Sequence, residues 1–191
     1  MEALAQIVVT DTSTSSISFT GIPATYGSLY INGQVSSTST NSIVDIYGRM
    51  NNVSSFDYDQ GGRWNYATNG SYNTNSMSNG SSASSIILGK MNGTPESYGV
   101  QENNYKVATT FFELNVTQYK ASDNGAPAMW MESSFLIDSD SGSSSYYSSN
   151  FWGVGCLQGS NNTDMTSVQL IPEAGNWSEG SFFTLYGRPL S

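Results

Sequence analysis

Gly175-Asn176-Trp177-Ser178-Glu179-Gly180-Ser181-Phe182-Phe183-Thr184-Leu185-Tyr186-Gly187-Arg188 reads as a turn that leads into a strand. Gly and Asn supply the backbone conformations that tight turns need, so Gly175, Asn176 and Gly180 mark the turn. Side chains alternate along a strand. Phe183 and Leu185 therefore share one face, and Phe182, Thr184 and Tyr186 the other. A strand this apolar is a liability at an exposed edge. The stretch predicts a strand paired on both sides within a sheet.

The same alternation recurs along the chain. Strands are expected over 4–10, 16–20 (Ile17 and Phe19 inward), 26–35 (Leu29 and Ile31 together) and 43–50 (Val44, Ile46 and Gly48 together). Asn32-Gly33 reads as a tight turn or a kink, and Pro23 as a bulge, an edge or a crossover. Residues 51–85 are the most polar part, with one strand at 63–67; they read as a surface excursion of short strands. Residues 85–89 follow as a buried strand. In 105–119, Ala108, Thr110, Phe112, Leu114 and Val116 form the core face. Further strands are expected over 129–137 (Met129 and Met131 in phase with Phe135), 151–157 and 165–171, with a Ser-rich loop at 138–150. About ten or eleven short strands without an amphipathic helix describe an all-β, antiparallel two-sheet sandwich, jelly-roll-like. The chain, 1–191, reads as one domain.

Composition narrows function. Charged residues are only 11% of the 191 residues, aromatic residues are 13%, and Ser, Thr and Asn fill the polar surface. A net charge of -9 opposes nucleic acid and anionic membranes, both of which need a basic face. With no histidine and the single Cys156, the usual acid–base group, a thiolate zinc site and an intrachain disulfide all drop out. Met1 to Gln6 lack a basic segment followed by an apolar run, so no signal peptide is expected and synthesis in a cytoplasm is.

Few constellations could carry chemistry. Asp57-Tyr58-Asp59-Gln60-Gly61 and Asp138-Ser139-Asp140-Ser141-Gly142 share a pattern that can wrap calcium, but neither has the downstream bidentate Glu, and turn chemistry is the simpler reading. Glu102, Glu113, Glu132 and Asp138 are of the right type for glycoside hydrolysis, yet nothing in the sequence brings two of them together. No nucleophile elbow is present. Catalytic residues, cofactor and metal are all expected to be none. Cys156, in phase with Trp152 and Val154, reads as a buried thiol. Tyr26, Trp64, Tyr146 and Tyr147 are candidates for an aromatic ligand or partner surface. Asn-x-Ser/Thr triplets at Asn52, Asn69, Asn79, Asn92, Asn115 and Asn176 follow from composition.

Two stretches carry a resemblance. Ser16-Ile17-Ser18-Phe19-Thr20-Gly21-Ile22-Pro23-Ala24-Thr25-Tyr26-Gly27-Ser28-Leu29 resembles the opening of a group of small virion proteins of tailed bacteriophages, frequent in cyanophages and marine phages. Met165 to Pro172, then Gly175-Asn176-Trp177 and Gly180 to Gly187, resemble its closing segment. The resemblance implies a β-sandwich in a virion, either a capsid decoration (cement) protein or a fibre-type protein. It implies as partners the major capsid protein or other virion subunits, and self-association, expected as a trimer. In the fibre alternative, Trp64, Tyr66, Tyr146 and Tyr147 would stack on a host-surface glycan. The family ends near Gly187, so Arg188 to Ser191 are expected as an addition beyond the sandwich that contacts a neighbouring subunit.

Overall fold

A computed structural model of the chain describes residues 1–40, 43–54, 58–68, 71–93, 110–117, 127–139, 145–157 and 164–189. These residues form twelve strands: β1 (Glu2–Val8), β2 (Ile17–Thr20), β3 (Ser28–Val35), β4 (Ile43–Met50), β5 (Tyr58–Thr68), β6 (Ser71–Ala83), β7 (Ile86–Asn92), β8 (Thr110–Thr117), β9 (Ala128–Ser139), β10 (Ser145–Leu157), β11 (Ser167–Pro172) and β12 (Phe182–Arg188). One sheet has eight strands in the order β1-β12-β3-β8-β9-β10-β5-β6, the other four in the order β2-β11-β4-β7. Every pairing is antiparallel.

Setting aside the β5–β6 and β9–β10 hairpins, the remaining eight strands form two four-stranded sheets, β1-β12-β3-β8 and β2-β11-β4-β7. That order is a jelly roll. The two hairpins are insertions that join the β8 edge side by side and double the width of one sheet.

The final strand behaves as its sequence requires. β12 lies between β1 and β3, with Phe183 and Leu185 buried and Phe182 and Tyr186 half-exposed. The turn before it is tightly built. Gly175 has φ of 70°, and a Cβ there would meet the Ser39 backbone nitrogen at 2.5 Å. Trp177 is fully buried and meets the edge of Phe183 at 4.8 Å between centroids. The residues quoted for the family resemblance fall on β2, β11 and β12, and β2 and β11 are direct neighbours.

Several expectations change. Asn32-Gly33 makes no turn, since β3 runs straight through it. Residues 51–85 hold long strands rather than short ones: β5 has 11 residues and β6 has 13. β10 begins at Ser145, so half of the expected Ser-rich loop is strand. Arg188 is not an addition beyond the sandwich. It is the last residue of β12, opposite Ser28, with its guanidinium 5.6 Å from the centre of the Tyr30 ring. Leu190, Ser191, Phe135, Glu102, Asn69 and the strand expected over 105–109 lie outside the described residues and side chains.

The narrow sheet reaches the insertion through β7. Ser133 on β9 accepts from the Lys90 backbone N–H at 2.8 Å and donates to the Lys90 carbonyl at 2.9 Å. Gly89 allows that approach, because a Cβ there would stand 2.7 Å from the Ser133 oxygen. The Lys90 ammonium pairs with Asp45, directly opposite on β4, and lies 4.4 Å from the centre of the Trp64 ring on β5. The Ile87 N–H donates to Gln60 on β5 at 2.5 Å. β9 and β5 are thereby both tied to one strand of the opposite sheet.

Burial disfavours the ionised Asp45 carboxylate and outweighs the opposing pull of Lys90, so its pKa lies above the ordinary 3.8. Between 3.8 and that raised value, the folded chain keeps a proton that the unfolded chain releases. The contribution of Asp45 to stability therefore falls as pH rises through that window. Asp45→Asn should remove this slope from urea-melt stability measured against pH. At neutral pH, Lys90→Met strands a buried carboxylate and should cost about 3–5 kcal/mol, whereas pairing it with Asp45→Asn should recover most of the loss. In the same assay Trp177→Ala should cost about 3–5 kcal/mol.

Candidate functional site

The side of the eight-stranded sheet facing away from the core carries the surface most suited to binding. Where β8, β9 and β10 alternate, the inward residues are Phe112, Leu114, Val116, Met129, Met131 and Phe151, all buried. The outward residues include Phe111, 57% exposed, Trp130, 42%, Trp152, 41%, and Val154, 51%. Large apolar side chains this exposed on adjacent strands form a patch of the kind that marks an interaction surface.

Strand register fixes the arrangement. Trp130 stands opposite Val154 on one side and Asn115 on the other. Trp152 stands opposite Glu132 and, across the next strand, Arg63. Phe111 is opposite Ser134. The apolar groups are thus interleaved with Glu113, Glu132, Asn150 and Arg63. The Asn150 amide donates to Glu132 at 3.3 Å. Farther along the sheet, Tyr30 and Tyr186 sit 5.9 Å apart. Burial raises the pKa of the Tyr30 hydroxyl, helped by its hydrogen bond and charge contact with Glu113.

Glu113 and Glu132 are direct register partners across β8 and β9. Sequence alone did not bring them together; the sheet does. They stand on an open sheet face, Glu113 exposed and Glu132 half-buried. Glycoside hydrolysis needs its two acids to flank a bound sugar, whereas these two stand side by side on one face of the sheet. Two like charges directly opposite are destabilising in a sheet, so this pair favours a cationic neighbour. Glu132 and Arg63 form no ion pair with a described residue.

The other sequence candidates fall differently. Trp64 is half-buried on the inner side, its indole N–H donating to Ser149 at 2.6 Å and its ring under Lys90. It packs the insertion rather than presenting a free face. Tyr26 donates to Glu2 at 2.8 Å and is half-buried. Tyr66, Tyr146 and Tyr147 are in strands, opposite Ser149, Asp138 and Ile137, and their side chains lie outside the described set. Asp59 and Asp138 lie in strands β5 and β9, opposite Cys156 and Tyr146, so the turns expected there do not form at those residues. The side chains of Asp59 and Asp138, and all of Asp57 and Asp140, lie outside the described set.

Cys156 corrects the phase of β10. It shares the outer face with Trp152 and Val154 and is half-exposed rather than buried. The inner face of this strand has Phe151 followed by Gly153 and Gly155, so the hydrophobic signal ran along the wrong side. Trp130 and Phe111 alternate with the core residues Met129, Met131 and Phe112, and sequence reasoning did not single them out; their alternation with those residues was the signal that could have found them.

A second feature is a cleft of about 380 Å³ between the edge strands β1 and β2, lined by Leu4, Ile7, Phe19, Ile22, Pro23 and Leu185 among others. Among the described residues, no titratable side chain lines it. Comparison with known protein families, with curated proteins and with solved structures found no match.

The outward placement of Trp130 has a direct consequence. In protein diluted to single chains, Trp130→Ala should change urea-melt stability by less than about 1 kcal/mol, far less than loss of a buried aromatic. A larger cost would show that Trp130 packs into the core.

Proposed function

We propose that this chain is a non-enzymatic structural protein of a tailed-bacteriophage virion, a capsid decoration (cement) subunit that binds the outer capsid lattice. The observation that carries the proposal is the aromatic outer face around Trp130 and Trp152. It is an open sheet face, mixed in polarity and built on paired strands, which suits a protein surface better than a small substrate. The family-like segments on β2, β11 and β12 support the virion setting. A subunit that binds only the assembled shell stabilises that shell by mass action. The resemblance implies a trimer at a local threefold position.

The test is quantitative mass spectrometry of purified virions, joined to shell binding. A copy number comparable to that of the shell subunit, with binding that raises the shell's melting temperature, is the expected result. Absence from virions overturns the proposal.

A fibre-type role with a host-surface glycan is the second reading. It is favoured by one observation: Trp130 and Trp152 stand beside Glu132 and Asn150, so ring faces and hydrogen-bonding groups lie together. A low copy number and retention on a glycan array would select it over decoration.

A further inference from the structure

We propose that the outer face of the eight-stranded sheet is an isologous interface, in which two copies of the chain pack face to face about a two-fold axis running along β10. This inference does not rest on the virion reading and replaces two parts of it: the face is covered by a second copy rather than by the shell, and the assembly is two-fold rather than a trimer.

The argument comes from the register across β9, β10 and β5. One row reads Glu132, Trp152, Arg63. The next reads Trp130, Val154, Gly61, and the row on the other side reads Ser134, Asn150, Asn65. A two-fold axis along β10 exchanges the residue on β9 with the one on β5 in every row. Strands lie about 4.8 Å apart, so the exchanged residues all sit close to the axis.

Each row is complementary to its own reversal. Glu132 meets Arg63 of the second copy, and Arg63 meets Glu132 of the second copy. Trp130 meets Gly61 of the second copy, where a Cβ would find no atom within 4 Å, so the largest side chain faces the emptiest position. Trp152 and Val154 meet their own counterparts on the axis. The remaining row pairs Ser134 with Asn65, both able to donate and accept. Isologous interfaces require this self-complementarity, and aligned sheets pack face to face at about 10 Å.

Charge supplies the second line. Glu113 and Glu132 oppose each other within one chain, while Arg63, one row-neighbour beyond Trp152, is exposed and in no ion pair with a described residue. The two-fold brings a guanidinium to each acidic pair, which relieves the repulsion and matches the preference of interfaces for Arg and Trp anchors. A guanidinium can hold a carboxylate through two hydrogen bonds.

Sedimentation equilibrium of the full chain tests this. The wild type is expected at twice the chain mass. Arg63→Glu and Glu132→Arg should each weaken association by about 100-fold, and the double exchange Arg63→Glu with Glu132→Arg should restore it. Val154→Glu, which places a charge on the axis without touching the ion pair, should also give the single-chain mass. A wild type at one or three chain masses overturns the proposal. So does association that survives both Arg63→Glu and Val154→Glu, or a double exchange that stays monomeric.

Discussion

The contact between β7 and the inserted strands is the constraint on which the rest depends. A jelly roll closes on itself with two sheets of equal width. Here one sheet is twice as wide as the other, and its extra strands need support on their inner side. β7 provides it. Ser133 bonds both backbone groups of Lys90, and the Lys90 side chain joins Asp45 to the Trp64 ring. Polar groups carry this junction, so its strength depends on full satisfaction rather than on buried area alone. Burial of Asp45 works against its charge and holds its pKa above the ordinary value, with Lys90 pulling the other way.

That support also holds in place the face proposed to bind. β9 and β10 could not hold Trp130 and Trp152 outward on a fixed lattice unless their inner side chains, Met131 and Phe151, were packed. The rigid spacing of a paired sheet then sets Glu132, Trp152 and Arg63 in line across three strands. On such a scaffold the proposed function rests on which side chains the paired strands turn outward. An aromatic centre with charges beside it is the composition expected of a protein-binding surface.

Much of the fold was legible in the sequence because alternation is a direct readout of burial. Phe183 with Leu185, Ile17 with Phe19, and Phe112 with Leu114 and Val116 all lie on the core side, as their period requires. What escaped was written in residues without an apolar signature. β6, Ser71 to Ala83, is almost wholly Ser, Asn, Thr and Gly and is a strand through its pairing with β5. β10 hid its phase because Gly153 and Gly155 contribute no side chain to the inner face. The proposed binding face was not singled out from the sequence: Trp130 and Phe111 carry no local signal beyond their alternation that separates them from packing aromatics, and Arg63 and Glu132 join them only through long-range register. Trp64 looked like a ligand platform because nothing local reveals that Lys90 covers it.

The central claim is that the outer face around Trp130 and Trp152 is covered in the working assembly. Hydroxyl-radical footprinting of assembled protein against protein diluted to single chains measures this directly. The account predicts that oxidation of Phe111, Trp130 and Trp152 falls on assembly, while Trp64, already under Lys90, changes little. Equal oxidation of Trp130 and Trp152 in both states would contradict it.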